Sequence, residues 1–249
     1  MVLGLVGGGG SILTVPVMVY LLSINPITAT AYSLFVVGVA ALVGAIQNIR
    51  KGLVDFRTAL VFSIPAFTGV YIARRYVLPA IPDELFSIGD FLVTKEIGIM
   101  VFFGLIMLVA SFSMIRNNVA EGDPNQPVQY NYTLIILEGL VVGLITGLVG
   151  AGGGFLIIPA LVLLARLPMK TAVATSLLII AVKSLIGFLG DVTNLEIDWP
   201  FLLKFTALSV IGIFIGVYLN KYIDGKKLKR GFGYFVLIMA LYIIYMEFS

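Results

Sequence analysis

The chain contains no cysteine and no histidine among its 249 residues, and only 12% of them are charged. Without cysteine there are no disulfides, thiolate metal sites or cysteine nucleophiles. Without histidine the commonest metal ligand and the commonest general base are missing as well. A rhomboid-type serine dyad lacks its histidine, an intramembrane metalloprotease lacks its ligands, and Ser11 and Ser176 have no partner base. A retinal-type Schiff base is disfavoured, because the last apolar stretch, residues 231–246, holds no lysine. The expectation is a protein that is not an enzyme and that uses no metal or cofactor. A net charge of +3, scattered along the chain, gives no footprint for nucleic acid.

What the chain does have is apolar surface: 60% of residues are hydrophobic and the mean hydropathy is +1.09. Soluble domains carry about 45–50% apolar and roughly 25% charged residues. The composition therefore predicts an all-α polytopic integral membrane protein in contact with the lipid bilayer. A spanning helix needs about 20 apolar residues. Candidate segments cover residues 1–22, 28–49, 58–73 and 97–115, then 133–149, 155–165, 171–190, 200–220 and 231–246. The piece 155–165 is too short to cross alone. Arg57 and Arg74 flank the third segment, where their stems can snorkel. A polar loop containing Pro79 and Pro82 follows it. The most hydrophilic stretch, 117–131, divides the chain into residues 1–116 and 132–249.

The two parts repeat. GLVGGGGSILTVP begins at position 4 and GLVGAGGGFLIIP at position 147, an offset of 143. The same offset pairs Thr28 with Thr171, Ser33 with Ser176, Gly44 with Gly187, Asp55 with Asp198 and Gly69 with Gly212. This predicts two related repeats of about four helical segments, each with a Gly-broken helix or re-entrant segment. Duplication of this kind is common in secondary transporters. In the second half an apolar stretch, 132–146, precedes the glycines, whereas only Met1-Val2-Leu3 precede them in the first. The natural start is therefore expected upstream of Met1. The N-terminus has no basic leader, so no cleavable signal is read there.

The glycine runs, Gly7-Gly8-Gly9-Gly10 and Gly150-Ala151-Gly152-Gly153-Gly154, are the candidate binding elements. Glycine tolerates positive φ and close backbone approach, so a run of it unwinds a helix. An unwound backbone at membrane depth is tolerated only where it is buried in protein or lines a cavity. The half-helices that restart after each run, from Ser11 and Phe155, would present N–H groups and a positive dipole end to an anion. The competing reading is close helix packing by small residues.

The paired signatures and their T-A-x-x-x-S-L continuations resemble the sulfite exporter TauE/SafE family, of the toluenesulfonate uptake permease type, over most of the chain. Ala151 stands where the first copy has glycine. The resemblance implies secondary transport, with export the expected direction, of sulfite, an organosulfonate or a related small anion across a prokaryotic cytoplasmic membrane. A passive anion channel and a membrane scaffold are the alternatives.

Hydroxyls at Thr28, Ser33, Thr171, Thr175 and Ser176 are further candidates to donate to an oxyanion. The alternative for each is an interhelical or back-bonded hydrogen bond. Lys183 lies well inside its segment, where an ionisable group is costly and by default functional. It is expected to attract the anion or carry a coupling proton; snorkelling or pairing with Glu138 is the alternative. Lys204 reads as a snorkelling residue, and Gln47, Asn48 and Asn194 as interfacial. Asp55 and Asp198 read as helix caps. The expected partners are a small anionic substrate and a coupling proton or cation, with a homodimer also open. The short 155–165 piece, taken as re-entrant, gives an even number of crossings per repeat and hence parallel halves.

Overall fold

The computed structural model describes residues 11–88, 91–116, 132–163, 167–192, 194–220 and 225–248. Among them are nine helices and one β-hairpin. Helix α1 is Ser11–Leu21 and α2 is Pro26–Arg50. Asn25 caps α2 by accepting from the Ile27 N–H, and Pro26 presets the first turn. Helix α3, Phe56–Ala80, starts at Asp55, whose carboxylate accepts from the Thr58 N–H. Its Ala73–Val77 stretch is a wider π-turn.

The Pro-containing region expected as a loop instead forms a hairpin, β1 (Glu84–Ile88) antiparallel to β2 (Phe91–Thr94). Its acidic neighbours Asp83, Glu84 and Asp90 obscure a short run rich in aromatic and branched side chains, which favour strands. Helix α4, Lys95–Arg116, follows. The second half supplies α5 (Tyr132–Val149), α6 (Gly154–Leu163), α7 (Met169–Asp191), α8 (Trp199–Asn220) and α9 (Gly225–Phe248). Pro26–Arg50, Phe56–Ala80, Lys95–Phe112, Lys170–Asp191 and Trp199–Gly216 are long and apolar enough to cross a membrane.

The bundle centres on α2 packed against α7. Helix α3 covers α7 and α5, α8 covers α2, and α4 pairs with α9. A Cβ added at Gly44 would stand 3.2 Å from Leu177 and 3.6 Å from Ile213; one at Gly187 would stand 2.6 Å from Val70 and 3.3 Å from Leu34. As position rises along α2, its partner's position falls along α7. The two helices are antiparallel, which corrects the expectation of parallel halves. The physical reason lies at α5. Gly139 meets Phe62 and Pro65, Gly143 meets Ala66, and Gly147 meets Val70 and Ala73, so α5 runs with α3. Val70 at Gly187 and Arg74 at Gly190 show that α3 also runs with α7. Helix α6 must therefore return between α5 and α7. That return makes the number of passes in the second half odd and turns α7 over relative to α2.

The α3–α5 seam is built without side chains on one face. A Cβ at Gly69 would lie 2.6 Å from the Leu140 carbonyl oxygen, and one at Gly143 would enter the Ala66 carbonyl. Such backbone contact gives the close van der Waals packing that drives helix association where no water is available to be released.

Candidate functional site

Helix α5 ends at Val149 and α6 begins at Gly154. Between them Gly150 and Gly153 hold φ of +72° and +73°, a region that side-chain-bearing residues rarely adopt. The Gly150 N–H donates to the Thr146 carbonyl at 2.9 Å, and the Leu156 and Ile157 N–H groups both donate to Gly153 at 2.9 Å. The N–H groups of Ala151, Gly152 and Gly153 have no hydrogen-bond partner among the described residues, although all three residues are buried. Buried backbone donors are almost always paired. Three successive free ones make a concentrated patch of positive partial charge.

Lys183 reaches this patch. It is fully buried on α7, and its Nζ donates to Thr146 Oγ1 at 2.6 Å. A Cβ on Gly153 would lie 3.0 Å from that Nζ. Arg74 pairs with Asp191 and Lys95 with Asp83. Lys183 thus pairs neither with Glu138 nor with any other described carboxylate, and it does not snorkel.

The first half closes the other side. Gly150 lies against Thr30, and Gly152 lies against Val37 and Ser11. Thr30 accepts at 3.0 Å from Nη1 of Arg74. Arg74 is completely buried, which corrects its reading as a snorkelling residue. It sits in the π-turn of α3. Its neighbour Arg75 instead donates to Asn194 at 3.1 Å at the surface. The break is therefore flanked by two buried cations, Lys183 directly and Arg74 through Thr30.

The remaining predicted residues distribute as follows. Ser11, Gly150, Gly152, Gly153 and Lys183 come together, and Gly154 opens α6. Gly7, Gly8, Gly9 and Gly10 lie outside the described residues. Ser33 is buried on α2 with its hydroxyl unpartnered. Thr175 accepts from the Asp55 N–H at 3.0 Å and Ser176 back-bonds to Val173 at 2.8 Å. Thr28 and Thr171 are only half-buried, near the starts of α2 and α7. Thr30, Arg74, Thr146 and Asp191 went unnoticed as site residues. Thr146 carried a signal, standing one turn ahead of the second glycine run. Arg74 carried none, because an Arg-Arg pair closing an apolar segment has the pattern of an interface.

A helical bundle with several membrane-length helices and a buried, cation-flanked helix break is that of a multi-pass membrane transporter. The chain belongs to the sulfite exporter TauE/SafE family, whose family model matches residues 1–243. It is 29% identical over 252 residues to a probable membrane transporter protein of Xylella fastidiosa (strain 9a5c), covering 99% of this chain and 91% of that one. It is 27% identical over 264 residues to the probable membrane transporter protein YunE of Bacillus subtilis, covering 97% and 92%. YdhB of the same organism, also a probable membrane transporter protein, is 23% identical over 215 residues, covering 86% and 83%. No solved structure is a significant match.

Proposed function

We propose that the chain is a secondary transporter that moves sulfite, an organosulfonate or a related small anion outward across the cytoplasmic membrane. The anion is held at the Gly150–Gly153 break. The observation that carries this reading is the approach of the Lys183 ammonium, bonded to Thr146, to Gly153 in a break where the N–H groups of Ala151, Gly152 and Gly153 have no partner among the described residues. These are donors suited to an oxyanion, in a region from which water is excluded. No negative side chain among the described residues neutralises Lys183.

The carrier consists of two inverted units, residues 1–116 and 132–249, joined by 117–131. Two features support this: Pro26 and Met169, and Phe56 and Trp199, open their helices 143 residues apart, and the Gly44 and Gly187 contacts are reciprocal under the same offset. Arg50, Lys51, Arg57, Arg116 and Lys170 share the end of the bundle at which α8 ends and α9 begins, and the first turns of α9 carry Lys226, Lys227, Lys229 and Arg230. Loop charge bias puts that end in the cytoplasm.

Counterflow of labelled sulfite and methanesulfonate into proteoliposomes tests the reading. Saturable exchange that Lys183→Met removes is expected. Unsaturable flux would favour a passive channel, and no flux a scaffold.

A further inference from the structure

Arg74 is a second buried cation with unused donors. Its Nη1 is shared between Thr30 Oγ1 at 3.0 Å and Asp191 Oδ2 at 3.4 Å. Its Nε and Nη2 have no hydrogen-bond partner, and the residue is 0% exposed. Guanidinium presents a rigid fork of N–H groups that matches planar or tripodal oxyanions, so leaving two edges of it empty in a dry interior is costly. Gly190 permits the arrangement: a Cβ there would stand 3.0 Å from Arg74 Cβ. Asp191, the last residue of α7, is 3% exposed, and its Oδ2 makes no hydrogen bond. The 3.4 Å approach is thus an ion pair held loosely, on a side chain that already bonds to the residue lining Gly150.

We propose that Arg74 is a second anion-binding cation of the transport site, and that Asp191 is the resident carboxylate the arriving anion displaces, binding one proton as it is displaced. This rests on the transport reading given above. In the empty carrier Asp191 neutralises Arg74. When the substrate's oxygens accept from Arg74 Nε–H and Nη2–H, the Arg74–Asp191 contact opens. Asp191 then has no cation left to balance it. One proton from solvent adds to its carboxylate, and anion and proton are bound together without change in the site's net charge. An unpaired carboxylate in a sealed interior has no cheaper state.

Arg74 is the ionisable group that faces Asp191 from α3. From the same helix Arg75 turns to Asn194. From α2, Tyr32 receives the Asp198 N–H at 2.6 Å. On α7 itself Lys183 stands eight residues away, about 12 Å along the axis at 1.5 Å per residue. On α5, Glu138 lies beside Gly139, which packs at Phe62, about 18 Å down α3 from Arg74. Arg74 is therefore the group that sets the charge state of Asp191.

The test uses the full chain in detergent and methanesulfonate as probe, because its sulfonate does not titrate between pH 5 and 9. In weakly buffered solution with an indicator dye, binding should take up one proton per anion. By linkage, affinity should rise up to about tenfold for each pH unit lowered. Asp191→Asn should bind the probe with no proton uptake and no pH slope. Because that variant leaves Arg74 without its carboxylate and can misfold, the double variant Arg74→Gln/Asp191→Asn, which removes both charges, accompanies it. It should fold and bind at least tenfold more weakly than wild type. Probe binding by wild type without proton uptake, or wild-type affinity in the double variant, would overturn the proposal and leave the Gly150–Gly153 site standing. No probe binding at any pH would overturn the sulfonate reading of that site and this proposal with it.

Discussion

The backbone N–H of Asp55 donates to the hydroxyl of Thr175 at 3.0 Å, joining the start of α3 to the first third of α7. The same bond occurs a second time, at positions offset by 143: the N–H of Asp198 donates to Tyr32 at 2.6 Å. Each aspartate also caps its own helix, Asp55 accepting from Thr58 and Asp198 from Phe201. A reciprocal pair between antiparallel helices places the end of α2 and the end of α7 on opposite faces of the bundle. A cysteine at Gln47 and one at Asn194 should therefore label from opposite sides in intact cells, Asn194 from outside. Labelling of both from one side would contradict the antiparallel packing.

The Thr175 bond gives a control for the site. Thr175→Val keeps the volume but removes the acceptor of the part-buried Asp55 N–H, at a cost of about 0.5–1.5 kcal/mol. Its thermal midpoint should fall while anion affinity per folded molecule is unchanged. A variant that lost affinity without losing stability would place Thr175 in the binding site after all.

Lys183→Met should do the opposite. It removes a buried ammonium that has one hydrogen bond and no counter-ion, so the thermal midpoint should hold or rise. Loss of a charge-assisted hydrogen bond, about 1.5–3 kcal/mol, should weaken anion binding roughly tenfold or more. Lys183→Arg retains charge but not shape, and should recover part of the affinity. Equal affinity in wild type and Lys183→Met would remove Lys183 from the site.

The glycines of the break should separate into two kinds. A methyl at Gly152 meets Val37 and Ser11, which is overpacking worth about 1–3 kcal/mol. Gly152→Ala keeps its N–H, so it should melt early and lose less affinity per folded molecule than Gly153→Ala. At Gly153 the methyl meets Thr146 at 2.5 Å and Lys183 Nζ at 3.0 Å, on a backbone with φ of +73°. Gly153→Ala should lose affinity as well as stability. Thermal melts and isothermal titrations on one sample distinguish the two; early melting with unchanged affinity in both variants would make both packing residues.

A glycine run flanked by apolar residues has few physical uses, and an intramembrane lysine has fewer, so each stood out in the sequence by itself. Their contact at Gly153 did not, because the two lie 30 residues apart, one in the break before α6 and one on α7. The direction of α7 was not legible either. It depends on α6 returning inside the bundle, and ten apolar residues carry no record of which way they point. Arg74 was illegible for a different reason: the π-turn at Ala73–Val77 rotates it inward, and one extra residue in a helical turn leaves no compositional trace. The β-hairpin was hidden by the charges around it.

Helices α3 and α5 approach closely at Gly69, Gly139, Gly143 and Gly147, where backbone of one helix lies against the other beside Pro65 and Ala73. Such a joint resists shear: sliding by even one residue would drive a Cβ into a carbonyl. Mechanically the two helices form a single stiff plate, carrying Thr146 and Arg74 as fixtures. Lys183 and Asp191 ride on α7, which meets α2 through leucine side chains that swap rotamers at little cost. The hydrogen bond from Lys183 to Thr146 and the ion pair from Asp191 to Arg74 therefore both tie α7 to this plate, so the position of α7 against it sets the geometry of the two buried cations.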